Sequence, residues 1–90
     1  MITILKGFYC YKTKESADFP AKDKVCLCFQ DTVNQPLSGE LYMEVSIDRD
    51  KIYPVKFADD EELKKYIGKR ISVDTGLFNG RPYLKSVDKI

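Results

Sequence analysis

The chain has 90 residues, of which 43% are hydrophobic and 32% charged, and carries a formal net charge of +1. That is the composition of one ordinary globular domain; it excludes a disordered chain and a uniformly basic, histone-like binder, while leaving room for a local basic groove. Histidine and tryptophan are both missing, which removes the usual general base at neutral pH and the commonest metal ligand.

Residues 2–14 alternate as a strand. Ile2, Ile4, Phe8 and Cys10 fall on one parity, and Thr3, Leu5, Tyr9 and Tyr11 on the other, with Gly7 where a curved strand would bend. The apolar run at the N-terminus is too short for a signal peptide, and nothing approaches the roughly 20 apolar residues of a membrane span. The expectation is a soluble, cytoplasmic protein without a membrane partner.

Residues 15–23 read as a loop containing Pro20, with Phe19 as a local anchor. Residues 24–31 form a second strand, with Val25, Leu27 and Phe29 on one face and Lys24, Cys26, Cys28 and Gln30 on the other. Asn34, Gln35, Pro36, Ser38 and Gly39 make residues 32–39 a long turn. A third strand over 40–48 points Leu41, Met43, Val45 and Ile47 inward, against Tyr42, Glu44, Ser46 and Asp48. Asp48 to Lys51 is a charged turn, and residues 52–57 resume as extended chain, irregular or at an edge because of Pro54.

The spacing predicts a helix over 60–67. Asp59 and Glu62 have capping-box spacing, acidic residues crowd the positive end of the helix dipole, and Lys64 and Lys65 lie toward the negative end. Leu63, Tyr66 and Ile67 form one apolar stripe, and Gly68 stops the helix. Two strands follow at 69–78 and 82–89. Asn79-Gly80 between them is the strongest short hairpin signal, because both central residues must take positive φ.

The expected fold is a single domain over 1–90, mostly β, in the layout of an OB-fold-like five-stranded Greek-key barrel with one short helix between strands three and four. An SH3-like barrel or another small α+β fold is the alternative.

The three cysteines, Cys10, Cys26 and Cys28, are odd in number and lack the second pair that a zinc site needs. They read as reduced, buried or half-buried thiols. No phosphate loop, nucleophile elbow or metal-ligand cluster is present. The expectation is therefore no enzyme, no cofactor and no metal.

Six tyrosines and five phenylalanines interleave with basic residues. Single-strand binders need both parts, aromatic faces to stack on bases and cations to neutralise phosphates. Tyr9, Tyr11 and Tyr83 are the stacking candidates, followed by Phe78 near a hairpin tip. Lys12, Lys14, Lys22 and Lys24 cluster around the first loop, and Arg81 and Lys85 flank Tyr83. These residues point to single-stranded DNA, or RNA, as the partner.

Several segments resemble the small single-stranded DNA-binding (helix-destabilising) proteins of filamentous phages. Met1-Ile2 opens the chain in a similar way. Leu27-Cys28-Phe29-Gln30-Asp31 resembles that family's Leu-Cys-aromatic-x-Asp strand, and Val45-Ser46-Ile47-Asp48 its Ile-Thr-Leu-Asp stretch. Gly80 and Val87-Asp88-Lys89 resemble its C-terminal hairpin. The resemblance implies an OB-fold homodimer that coats single-stranded DNA cooperatively and without strong sequence preference, for phage or plasmid replication or transfer. It also implies that Lys89 contacts DNA, and that Phe78 or Tyr83 reaches DNA bound by the partner subunit. The competing expectation is a protein–protein module on the same barrel, such as an inhibitor or assembly subunit.

Overall fold

A computed structural model describes residues 1–31, 38–39 and 41–90. Most of the turn expected over 32–39 lies outside the described residues. Five antiparallel strands form one sheet: β1 (Ile2–Lys12), β2 (Asp23–Gln30), β3 (Tyr42–Asp48), β4 (Arg70–Phe78) and β5 (Arg81–Lys89). Their order across the sheet is β3-β2-β1-β4-β5, and the two outermost strands, β3 and β5, come into contact. Among the described residues no hydrogen-bonded ladder joins that last pair.

Two short helices separate β3 from β4, where one was expected: α1 (Arg49–Ile52) and α2 (Asp60–Lys65). The charged turn at Asp48–Lys51 is largely α1. The extended chain expected over 52–57 is instead the end of α1 and a run of turns that bury Ile52 and Phe57. The Tyr53–Pro54 peptide in this stretch is cis. The second helix begins as its sequence requires, with the Asp59 carboxylate accepting from the Glu62 backbone N–H at 3.0 Å. Gly68 stops the chain beyond it at φ +85°, a conformation that favours glycine. Leu63 is buried and Tyr66 half-buried, but Ile67 is exposed, so the apolar stripe is narrower than its spacing suggested.

The first strand departs most from simple alternation. The β1–β2 register shifts between Leu5 and Gly7, which leaves Lys6 as an extra residue. A bulge of this kind reverses the parity of everything beyond it. Thr3 and Leu5 therefore share the core face with Phe8, while Tyr9 and Tyr11 turn outward, contrary to the parity assignment from sequence.

The core runs across all five strands and both helices: Leu5, Val25, Leu27, Phe29, Val45, Ile47, Ile52, Phe57, Leu63, Ile71, Val73, Leu84 and Val87. Phe57 is fully buried and meets Tyr66 edge-on at 5.3 Å between ring centroids. Truncating such a ring to alanine costs about 3–5 kcal/mol. Leu41, expected inward, is instead exposed just before β3. No helix among the described residues is long and apolar enough to cross a membrane.

Candidate functional site

The bulge at Lys6 creates an outer face on β1, β2 and β3 whose rows can be read from the strand register. Tyr11, Lys24 and Asp48 make one row, Tyr9, Cys26 and Ser46 the next, and Gly7, Cys28 and Glu44 the third. Gln30 pairs with Tyr42 beyond these rows, and Ile4 pairs with Arg70 on the other side of β1.

Two tyrosines dominate this face. Tyr9 and Tyr11 are 55% and 38% exposed, so each offers ring surface to solvent. Their centroids lie 5.8 Å apart with the planes inclined at 42°. The Tyr11 hydroxyl is held by Ser46 Oγ at 3.0 Å. Tyr9 stands directly opposite Cys26, and the neighbouring thiol, through hydrogen bonding first and charge second, raises the Tyr9 pKa. The Tyr11 ring is thus fixed at its polar tip, and both rings keep exposed surface. Cys26 is buried beneath this layer, and Cys28 is half-buried. Burial first, then the Glu44 charge, raises the Cys28 pKa, so the neutral thiol is favoured. Cys10, expected to be at least half-buried, is exposed and donates to Asp60 Oδ1 at 3.5 Å.

Lysines gather where the first hairpin extends from this face. The Thr13 N–H donates to the Lys22 carbonyl at 2.9 Å, and the Lys22 N–H donates to Thr13 Oγ1 at 2.8 Å, so the two chains stay zipped beyond β1. The tip is a tight turn in which the Ser16 N–H donates to the Phe19 carbonyl at 2.8 Å and the Phe19 N–H donates to Ser16 Oγ at 3.1 Å. Lys12, Lys14 and Lys22 are exposed on this hairpin without a carboxylate partner among the described residues. Lys24 differs, because it pairs with Asp48 across the strands. That hydrogen bond is the main reason the Asp48 carboxyl titrates below its ordinary range.

A hollow of about 500 Å³ lies at the same end, lined by Lys22, Asp23, Asp48, Arg49, Asp50 and Tyr53. Arg49 sits 5.3 Å from the Tyr53 ring centroid and pairs with Asp60 at 3.5 Å. Burial, then the adjacent Asp60 carboxylate, raises the Tyr53 hydroxyl pKa. In turn, the nearness of the Tyr53 hydroxyl is the first cause of the lowered Asp60 pKa, although that buried hydroxyl makes no hydrogen bond among the described residues.

The β4–β5 hairpin carries the other candidates. Asn79 and Gly80 take φ of 51° and 76°, as the Asn-Gly signal required. Phe78 is 71% exposed, and Arg81 and Lys85 are also exposed. Tyr83 packs across Gly76: a Cβ there would meet the Tyr83 Cζ and hydroxyl at 2.9 Å. Glycine at 76 therefore makes room for one ring face, while Tyr83 remains 40% exposed. Leu77, directly before Phe78, is the most exposed large apolar side chain described, at 75%.

Lys89 occupies a different setting. It forms an ion pair with Glu62 and lies 5.4 Å from the Phe57 ring centroid and 6.0 Å from that of Tyr66. It clamps the end of β5 to α2, away from the tyrosine rows.

The structure thus brings Tyr9, Tyr11 and Lys24 to one face, with Lys22 on the hairpin extension beyond them, while Lys12 alternates to the opposite face and Lys14 lies on the same extension. It places Phe78, Arg81, Tyr83 and Lys85 on a separate ribbon. Two aromatic residues escaped sequence reasoning. Phe19, expected as a loop anchor, is 70% exposed, and Tyr42 is 52% exposed on the same face as Tyr9 and Tyr11. The Tyr42 signal was legible, since its parity already put it opposite Met43 and Val45. Among the described residues no group of three or more His, Cys, Asp or Glu is arranged to hold a metal ion. Compared with family models, characterised proteins and solved structures, the chain finds no match in any of the three.

Proposed function

We propose that this chain is a sequence-tolerant single-stranded DNA-binding protein. The observation that carries the reading is the Tyr9–Tyr11 pair, with the Tyr11 hydroxyl held and both rings exposed, near Lys12, Lys14 and Lys22 of the adjoining hairpin, which are exposed without a carboxylate partner among the described residues. Stacking on such rings contributes about 1–3 kcal/mol per base and tolerates any sequence, because every base has a π-face. Lysines beside them release counterions from the phosphate backbone.

The topology supports the same reading. A strand order of β3-β2-β1-β4-β5 with β3 against β5 fits an OB barrel, closed by the approach of its outer strands. OB-folds bind oligonucleotides on the face of strands two and three and on the loops after strands one and four. Here those loops present Phe19 and Phe78, both largely exposed.

Fluorescence anisotropy with a labelled oligo-dT, read across salt concentrations, tests the proposal. The expected result is an affinity that falls steeply with salt, with tyrosine fluorescence quenched on binding. Absence of binding at low salt would overturn it.

A second reading is favoured by one observation. Leu77, Phe78 and Pro82 leave the tip of the second hairpin apolar and exposed, as a protein-contact surface would be. A homodimer joined through this tip accommodates both readings. Stoichiometric capture of another protein, without nucleic-acid affinity, would favour a pure interaction module.

A further inference from the structure

We infer that Lys6 and Arg70 form a second phosphate-binding end of the tyrosine face, so that a single strand lies along β1 between two cationic ends. The inference rests on the reading that Tyr9 and Tyr11 stack on bases.

The argument starts at the bulge. The Gly68 N–H donates to the Leu5 carbonyl at 2.7 Å, and the Leu5 N–H donates to the Lys69 carbonyl at 3.1 Å. Arg70 then pairs with Ile4 in the sheet. These contacts pin the start of β4 against β1 beside Lys6. Lys6 and Arg70 come from separate parts of the chain, and the fold makes them neighbours.

Lys24, Arg49, Lys56, Lys64 and Lys89 are each paired with a carboxylate. Lys69 lies 5.7 Å from the Tyr66 ring centroid. Lys6 and Arg70 are exposed and have no carboxylate partner among the described residues. A bulge that leaves one lysine outside the register, beside an arginine held by the next strand, gives a phosphodiester two donors of different geometry. The guanidinium can grip two phosphate oxygens at once, and the ammonium acts as a point charge.

Position along the strand completes the case. Lys6 precedes Tyr9 by three residues, roughly 10 Å of extended chain, and Lys22, paired with Thr13 beyond β1, continues the parity of Tyr11 at the other end. A nucleic-acid strand following β1 meets cation, ring, ring and cation in that order. Bases on the two rings leave phosphates beyond each ring, and each end has a cation to receive them.

The test compares wild type with Lys6→Gln, Arg70→Gln and the double variant in oligo-dT titrations across salt. Lys64→Gln, which alters a cation already paired with Glu61, serves as the charge-matched control. Each lost contact should reduce the steepness of the log affinity against log salt plot by about 0.7, the single-strand value per phosphate. Quenching of tyrosine at saturation should persist, and Lys64→Gln should match wild type. Arg70→Lys should keep the slope and bind more weakly, because it keeps the charge and loses the fork. Melting curves check that each variant is folded. An unchanged slope in the double variant, with normal wild-type binding, overturns the inference and leaves the tyrosine face standing. No wild-type binding at low salt overturns both.

Discussion

The two sides of this molecule use the same residue types in opposite ways. On the side of α2 and the end of β5, three cations are committed: Lys56 reaches Asp88 at 2.5 Å, Lys64 reaches Glu61 at 3.0 Å, and Lys89 pairs with Glu62 while lying over Phe57. On the side of β1 and the first hairpin, Lys6, Lys12, Lys14 and Lys22 have no carboxylate partner among the described residues. The aromatics divide in the same way. Phe57 is buried, whereas Tyr9 and Tyr11 present open ring faces. A net charge of +1 therefore conceals one side where several cations are held by carboxylates and another where exposed lysines stand near open aromatic rings, interspersed with the carboxylates Glu15, Asp18, Asp23 and Glu44. Near-neutral totals say little about a partner when the charges are sorted in space.

The sharpest way to break this comparison is to remove the rings. Tyr9→Leu and Tyr11→Leu should each weaken oligo-dT binding by about 5- to 150-fold, the range that corresponds to stacking on one base. Both side chains are partly exposed, so thermal stability should change little by comparison. Anisotropy and a melting curve on the same samples separate the two effects. Equal affinity in the variants would place the binding surface elsewhere.

Charge gives the next largest effect. Replacing Lys12, Lys14 and Lys22 with glutamine should lower the steepness of the salt dependence by about 2, if each contacts one phosphate. The matching triple replacement of Lys56, Lys64 and Lys89 removes as much charge from the other side. It should leave the slope unchanged and lower the melting temperature. Indistinguishable slopes in the two sets would mean that binding follows total charge and that the two sides are not distinct.

Gly76→Ala is a finer probe of the second hairpin. Its new Cβ would lie 2.7 Å from Lys85 Cε and 2.9 Å from the tip of Tyr83. Both neighbours are the ends of flexible side chains, so they can move. Stability should shift by no more than about 0.5 kcal/mol, as for other surface changes. The Tyr83 ring must leave its seat, and any loss of DNA affinity would then report its stacking role. A large fall in melting temperature would show instead that the Tyr83–Gly76 packing is structural.

The parts of this fold legible in sequence are those governed by local chemistry. Asp59 and Glu62 announce their cap because the bond spans only three residues. Asn79-Gly80 announces its hairpin because few other pairs accept positive φ at both positions. The bulge at Lys6 is different. Gly7 signals that the strand can bend, but not that β2 will skip a partner at Lys6, so the parity of β1 could not be followed past it. The first helix was missed because four residues are too few to show a period. Lys24 and Lys89 looked as free as Lys12 and Lys14, since their partners Asp48 and Glu62 lie on other elements. Sequence alone could gather the aromatic and basic residues, but only the tertiary ion pairs reveal which cations remain available.

That distinction leads to the smallest expected effect, at the Lys89–Glu62 pair. The hydrogen bond from Lys89 is the first cause of the lowered Glu62 pKa, and the same bond raises the pKa of Lys89. The folded chain therefore takes up the Glu62 proton at a lower pH than the unfolded chain does. The associated stabilisation is full above the unfolded carboxylate value of about 4.3 and is lost as pH falls through the folded one. For Lys89 the sign reverses: its contribution is full below about pH 10.4 and is lost as pH rises through the folded value. Lys89→Gln should thus lower the melting temperature modestly at neutral pH, and its acid limb should be shallower than that of wild type. Oligo-dT affinity at neutral pH should be unchanged, because the ammonium is already held by Glu62 and the two rings. If affinity falls with the melting temperature unmoved, Lys89 belongs to the binding side, as its sequence resemblance implied, and the boundary between the two sides must be redrawn to include the end of β5.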